Sequence, residues 1–153
     1  MTATATLTPA SLVTASRDAL DKLFRESPAG PIPTGKARGT AIVLPGHGLD
    51  RALAAFVRAF IWKGKVFAPE TRDLKNRIGP FGFRLIRAKV YQDESWFSKG
   101  PATILDYSET SFVAHYIRDE IRQIAAGVYL GQVYWGKRRI CLFMLEFPTR
   151  ATA

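Results

Sequence analysis

The sequence predicts an α+β protein, mainly β, in which an antiparallel curved sheet or β-barrel is combined with two helices in the N-terminal half. In the segment 83–91, Ile86, Ala88 and Val90 share one face and Arg87, Lys89 and Tyr91 share the other, which is typical of a strand with one buried and one solvated face. In residues 138–147, by contrast, every side chain from Ile140 to Leu145 is apolar, so both faces of that strand are apolar there and must be covered. A sheet that curls around its own interior, with a helix against its outside, satisfies both patterns.

The length and composition favour a single folded domain. The chain has 153 residues, of which 47% are hydrophobic. No stretch approaches the ~20 apolar residues of a membrane-spanning helix. We expect residues 1–7 to be a flexible lead and residues 8–150 to form the domain. The N-terminus lacks the basic start and apolar middle of a secretion signal, so the expected compartment is the cytoplasm.

The single cysteine and the net charge limit the chemistry further. Because Cys141 is the single cysteine of the chain, an intramolecular disulfide and a cysteine-rich metal site are both excluded. Its neighbours in sequence are apolar, which predicts that its side chain is packed in the core. The formal net charge of +9 implies attraction to an anion, whether nucleic acid, a membrane surface or an acidic ligand. The excess lies mostly between Lys36 and Lys99, where 13 side chains are basic and 5 are acidic.

Two segments have the apolar spacing of helices. The pair Thr8-Pro9 is typical of a helix start, and an apolar stripe runs from there to Glu26, which predicts a helix over 9–26. The loop over 27–39 separates this helix from the barrel-like part at 40–147, so the helix is a candidate lid. A second helix is predicted from a cap at Asp50 to a stop at Gly64.

The remaining segments are predicted strands, separated by Gly and Pro turn signals. Their predicted bounds are Thr40–Leu44, Lys65–Phe67, Leu74–Ile78, Phe83–Tyr91, Ala102–Tyr107, Val128–Trp135 and Arg138–Phe147. The segment 110–125 fits either a helix or a strand, and a short helical turn followed by a strand is the preferred interpretation.

No known catalytic motif is present, and two histidines are too few for a histidine-rich metal site, so no metal or other cofactor is expected. The candidate catalytic residues are Asp106, Tyr107, His115 and Asp119. His115 stands four residues before Asp119, which would suit a proton-transfer group oriented by a carboxylate. The alternative is a histidine on a partly exposed turn.

The charged residues at 106 and 118–122 also suggest a binding site. A cavity that holds Asp106, Asp119, Arg122 and a tyrosine would bind a polar head group, whereas the alternative is a solvated salt-bridge ladder on the surface. An anionic ligand end would meet Arg118, Arg122 or Lys65. The candidate aromatic ligand-binding residues are Trp62, Tyr91, Trp96 and Tyr129, of which Trp96 falls in a polar loop and also suits a membrane surface or an interface.

The second half of the chain resembles small bacterial lipocalin-like (calycin) proteins, most of them uncharacterised. The resemblance covers roughly residues 40–147 and lies in Trp62-Lys63-Gly64-Lys65-Val66-Phe67, Ile104-Leu105-Asp106-Tyr107, Asp119-x-Ile121-Arg122-x-Ile124, Gly127-Val128-Tyr129-Leu130-Gly131 and the last strand. The Gly-x-Trp of typical lipocalins is absent, and the helix over 9–26 is additional. The resemblance implies a β-barrel whose mouth takes a hydrophobic small molecule.

Three functions are consistent with these observations. The first is binding of a small hydrophobic or amphipathic acid in a barrel cavity. The second is a cofactor-independent enzyme, such as an isomerase, lyase, cyclase or hydrolase, that acts on such a molecule in the same cavity. The third is binding to an anionic surface or a nucleic acid, of which nucleic acid is the weaker candidate because the basic residues form no dense stripe.

Overall fold

The computed structural model describes residues 8–42, 62–68, 73–78, 83–108 and 115–148. The predicted fold class is confirmed, because these residues form an antiparallel curved sheet and two short helices. None of the helices in these ranges is long and apolar enough to cross a membrane. The first seven residues, expected as a flexible lead, lie outside the described ranges.

The predicted helix over 9–26 is divided into α1 (Pro9–Val13) and α2 (Arg17–Glu26). Both its expected start at Thr8-Pro9 and its expected end at Glu26 are confirmed. The division occurs because the Ser16 hydroxyl caps α2 by accepting a hydrogen bond from the backbone N–H of Ala19, at 3.2 Å. A serine in this role holds its own backbone in an extended conformation, which interrupts a continuous helix.

The predicted helix from Asp50 to Gly64 lies mostly in 43–61, outside the described residues. Its end is wrong, because Trp62, Lys63 and Gly64 already belong to a strand. Trp62 pairs with Ile78, and the register shifts before the next pair, so an irregular strand start takes the place of the expected helix end. Strand pairing outweighs the local helical pattern here.

The described ranges contain nine strands. They are β1 (Gly35–Lys36), β2 (Arg38–Ile42), β3 (Trp62–Ala68), β4 (Asp73–Ile78), β5 (Phe83–Glu94), β6 (Pro101–Asp106), β7 (Ile117–Ala125), β8 (Val128–Trp135) and β9 (Arg138–Glu146). The predicted strands agree with these bounds to within a few residues. The interpretation of 110–125 placed the strand too late, since β7 begins at Ile117, where it already pairs with β8.

The described strands form one sheet in the order β1-β3-β4-β5-β6-β7-β8-β9-β2, in which all neighbours are antiparallel. The two ends of this order are close in the chain, because β1 pairs with β3, β2 pairs with β9, and Ala37 alone separates β1 from β2. The sheet is therefore curved so strongly that its two edges approach each other at residues 35–42, of which 35–39 were expected to be a loop.

Two apolar clusters lie on opposite faces of the sheet. The helix-covered face has a cluster made of Leu12, Leu20, Phe24, Ile42, Leu130, Leu142 and Met144. The other face, here called the inner face, has a cluster made of Ala37, Ala88, Val90, Leu105, Tyr107, Ile121, Tyr129, Phe143 and Leu145. Ala37 joins the two edges of the sheet, so the sheet bends around this second cluster. Leu142 and Phe143 are both buried, which confirms that β9 is covered on both faces.

Candidate functional site

The two candidate aspartates lie on neighbouring strands but on opposite faces of the sheet. Asp119 in β7 pairs with Leu105 in β6, whereas the next residue of β6, Asp106, pairs with Arg118. Because successive side chains of a strand point to opposite faces, Asp119 belongs to the inner face and Asp106 to the helix-covered face. The structure does not bring Asp106, Asp119 and Arg122 together in one cavity.

Asp119 is a buried carboxylate in apolar surroundings. Its side chain is 3% exposed, and it pairs with Leu105 on one side and Val133 on the other. The hydroxyl of Tyr107, which belongs to the apolar cluster of the inner face, donates a hydrogen bond to Asp119 Oδ2 at 3.3 Å. Asp119 and Tyr107 therefore form a polar pair on the inner face, which is otherwise largely apolar.

Asp106 forms a similar pair with Tyr91 on the other face. The Tyr91 hydroxyl donates to Asp106 Oδ2, and the backbone N–H of Ser108 donates to Oδ1, both at 2.9 Å. Burial opposes ionisation of Asp106, but hydrogen bonds from Ser108 and Tyr91 and the charge of Arg118 outweigh it and lower its pKa. Burial, and then the bond to Asp106, raise the pKa of Tyr91. Asp106 is therefore a carboxylate at neutral pH and not a proton donor.

Arg122 is buried and directed at the protein itself. Its guanidinium, which belongs to a side chain only 2% exposed, donates hydrogen bonds over 2.7–3.4 Å. The acceptors are the carbonyls of Phe24, Arg25, Lys99, Gly100 and Pro101 and the hydroxyl of Ser98. Burial lowers the pKa of Arg122, and the charges of Glu120 and Glu94 oppose that effect. These bonds attach the end of α2 to the loop between β5 and β6, and they occupy the donors that an anionic ligand would need.

Arg118 is also engaged by the protein. It forms an ion pair with Glu120, which is fully buried, and its guanidinium lies 3.9 Å from the centre of the Trp96 ring. Glu120 accepts two more hydrogen bonds, from the Ser95 hydroxyl and the backbone N–H of Trp96, both at 2.6 Å. Trp96 in turn packs edge-to-face on Tyr134 at 5.3 Å. This group holds the loop between β5 and β6 against the sheet.

The sequence reasoning missed an ion pair that attaches α2 to the sheet. Arg139 donates to both carboxylate oxygens of Asp21, at 2.6 and 3.1 Å, and to Gln132 Oε1 at 3.2 Å. The available signal was Asp21 itself, a charged residue next to Leu20 in the apolar stripe of the predicted helix. A carboxylate in such a position requires a partner, because an unpaired buried charge is strongly unfavourable.

Two of the other candidates lie at opposite ends of the sheet. His115 lies in the turn before β7, where its ring centre is 3.8 Å from that of Tyr116. Tyr129 lies on the inner face and donates to the carbonyl of Pro31 at 2.8 Å, so it holds the segment between α2 and β1 over one end of that face. Burial raises the pKa of Tyr129.

The last two candidates, Trp62 and Lys65, are in β3, where their backbones pair with Ile78 and Asn76. Their side chains lie outside the described part of the structure. Among the described residues, no three His, Cys, Asp or Glu side chains come close enough together to hold a metal ion.

Comparison with known proteins supports the fold and leaves the function open. No protein-family model matches the chain, and no curated protein does so either. A solved structure of a protein from Thermomonospora curvata is similar, with 19% sequence identity and a TM-score of 0.64 over 88% of this chain and 89% of that one. At this identity the likeness shows the fold alone. The chain thus shares its curved antiparallel sheet, over nearly its whole length, with a protein of known structure.

Proposed function

We propose that the protein binds a small hydrophobic or amphipathic molecule against the inner face, with the polar end of that molecule at Asp119 and Tyr107. The observation that carries the proposal is the placement of this polar pair among the buried apolar residues of the inner face. A mostly apolar surface with a few convergent polar groups is the usual composition of a small-molecule site. The curvature of the sheet around this face supports it as well.

The anchor determines which polar ends are suitable. Asp119 presents a carboxylate, which accepts hydrogen bonds, and Tyr107 presents a hydroxyl. The anchor therefore favours a ligand end that donates a hydrogen bond, such as an alcohol, a phenol, an amine or a protonated carboxylic acid. An ionised acid held by Arg118 or Arg122 is disfavoured, because the hydrogen bonds of both arginines go to protein groups.

A second candidate is a cofactor-independent enzyme in the same place, as an isomerase, lyase, cyclase or hydrolase. The supporting observation is again the 3.3 Å contact between Tyr107 Oη and Asp119 Oδ2. A carboxylate and a phenol in hydrogen-bond contact, within apolar surroundings, form a pair through which a proton can be exchanged with a bound molecule.

The binding proposal is tested with three ligands of equal chain length: decanol, decylamine and decanoate. Each is titrated into the purified full chain by calorimetry, and native mass spectrometry identifies any molecule retained through purification. Asp119→Asn is expected to weaken binding of the amine by about 10-fold or more, since it removes a charge-assisted hydrogen bond. Tyr107→Phe repeats the test with a smaller change in the anchor.

Asp106→Asn is the matched control, because Asp106 also accepts a hydrogen bond from a tyrosine but lies on the other face. It is expected to leave the affinity unchanged. The proposal fails if none of the three ligands binds, or if the substitutions at Asp106 and Asp119 weaken binding equally. Conversion of a retained molecule that is lost in Asp119→Asn and Tyr107→Phe, while both variants still bind it, would establish the enzyme.

A further inference from the structure

The turn between β8 and β9 and the neighbouring turn before β7 together carry an exposed group of aromatic and basic side chains, here called the hairpin patch. It consists of Tyr116, Trp135, Lys137 and Arg138, together with the half-exposed His115. Trp135 is 49% exposed and Tyr116 is 57% exposed. Large aromatic side chains with so much surface in water, when grouped, are typical of an interaction site.

The patch is held together by the backbone of the sheet. Trp135 pairs with Ile117 across β7 and with Arg138 across β9. The backbone N–H of Gly136 donates to the carbonyl of Tyr116 at 2.8 Å, and Gly136 itself has a φ of 61°, a conformation that favours glycine. The rings of Tyr116 and Trp135 are 6.0 Å apart, centre to centre. The aromatic groups are thus attached to a paired turn.

The charge of the patch has one sign. Lys137 and Arg138 are both exposed, and the residues of the patch and those between them, 115–117 and 135–138, include no Asp or Glu. The whole chain carries a formal net charge of +9, which adds a long-range attraction to any anionic surface. Positive charge next to exposed Trp and Tyr matches the composition of membrane-interface sites, where these rings lie at the level of the headgroups.

We propose that the hairpin patch docks on the surface of an anionic lipid bilayer. Trp135 and Tyr116 would lie among the headgroups, and Lys137 and Arg138 would contact the anionic lipids. A single-stranded nucleic acid is the competing anionic partner, but base stacking needs free ring faces. The ring of Tyr116 already contacts that of His115, whose centre is 3.8 Å away, and its centre is 6.0 Å from that of Trp135. The inference is independent of ligand binding on the inner face.

The test is co-sedimentation of the purified full chain with vesicles. Vesicles of phosphatidylglycerol and phosphatidylcholine in equal parts are expected to bind the protein, and vesicles of phosphatidylcholine alone are not. Added salt is expected to release it, because the basic side chains act at the surface. The double variant Lys137→Glu/Arg138→Glu is expected to bind about 30-fold more weakly or worse. Binding of the wild type to the anionic vesicles is also expected to shift its tryptophan emission to the blue. Trp135→Ala/Tyr116→Ala is expected to lose both the binding and this shift.

A matched control variant is Lys36→Glu/Arg38→Glu. It reverses one exposed lysine and one exposed arginine, as the patch variant does, and both double variants lower the formal net charge from +9 to +5. Arg38 pairs with Glu146 at the far end of β9, about 27 Å from Arg138 along the strand. This control is expected to bind like the wild type, and thermal melting verifies the fold of every variant.

Three results would overturn the proposal. The first is a wild-type chain that does not sediment with the anionic vesicles. The second is equal loss of binding in the patch variant and the control variant, which would assign the binding to total charge. The third is binding to a single-stranded oligonucleotide through the patch residues, without binding to the vesicles.

Discussion

Replacement of Arg122 tests whether the buried guanidinium holds α2 to the sheet. Arg122→Ala removes a cation whose hydrogen bonds reach six acceptors, five of them backbone carbonyls. The carbonyls of Phe24 and Gly100 keep a backbone donor, from Ser27 and Ser95 respectively. Each of the other carbonyls that is left buried without a donor is unfavourable by about 1 kcal/mol or more. The relief from no longer burying a charge offsets part of the sum. The expected net loss in the free energy of unfolding is about 3–5 kcal/mol, the range for disruption of a buried charged network.

The assay is equilibrium unfolding in urea, followed by tryptophan fluorescence. A loss of that size is expected to lower the urea midpoint by about 2 M, without a change in the slope of the free energy against urea. Arg122→Met is the informative second variant, because it keeps most of the volume but supplies no donor. The control is Arg38→Ala, at an exposed position, with an expected change of about 0.5 kcal/mol or less.

The result that refutes this reasoning is an Arg122→Met protein as stable as the wild type. The carbonyls of Arg25 and Lys99 would then be satisfied by water, and the guanidinium would not be the element that joins α2 to the sheet. Arg38→Ala that lowers the free energy of unfolding as much as Arg122→Ala would also refute this reasoning, because the loss would then not depend on the buried hydrogen bonds of Arg122.

Three further predictions concern packing and pH. A Cβ at Gly131 would lie 2.2 Å from Cζ of Phe143 and so overlap the end of its ring. Gly131→Ala is therefore expected to lower the free energy of unfolding by about 1–3 kcal/mol, and a Phe143→Leu substitution in the same chain should recover part of this loss in urea melts. Burial first, and then Glu120, raise the pKa of Tyr134 from 10.0 to about 12. Its neutral form therefore stabilises the fold below pH 10, and this contribution is lost as the pH rises toward 12. Tyr134→Phe should reduce the decline of stability with pH in alkali, and an unchanged decline contradicts the assignment. The pKa of Asp106 is lowered below 3.8, so its ionised carboxylate contributes to the stability of the fold above that pH, and this contribution is lost on further acidification. Asp106→Asn should therefore make the free energy of unfolding less dependent on pH in acid, as measured by urea unfolding across the acidic range.

The strands were largely predictable because their signals are local. The bounds of β8, Val128–Trp135, agree with the prediction, since glycines mark the turns at both of its ends and apolar residues fill its interior. The break in the predicted helix before α2 was harder to predict, because Ser16 either continues a helix or caps a new one. The start of β3 at Trp62 was missed, because the apolar spacing before Gly64 is helical and does not reveal the pairing of Trp62 with Ile78 in β4.

The candidate site was predictable only as a set of residue types. Alternation along one strand was visible, but the relation of Asp106 to Asp119 depends on the register between β6 and β7. A shift of that register by one residue would have placed both carboxylates on the same face. The partners of Arg122 were equally inaccessible, because the carbonyl of Phe24 that it contacts is 98 positions away in the chain.

By itself, the sequence determined the mainly β class, the positions of most turns, the two-sided burial of β9 and the excess of positive charge. These properties follow from side-chain periodicity and composition, which act over a few neighbouring residues. The tertiary structure decided which charges are neutralised within the protein, which carboxylate faces the inner surface, and which aromatic rings remain in water. Those outcomes depend on contacts between segments that are distant in the chain. Such contacts are established by strand register and helix docking, which the local pattern of side chains does not specify.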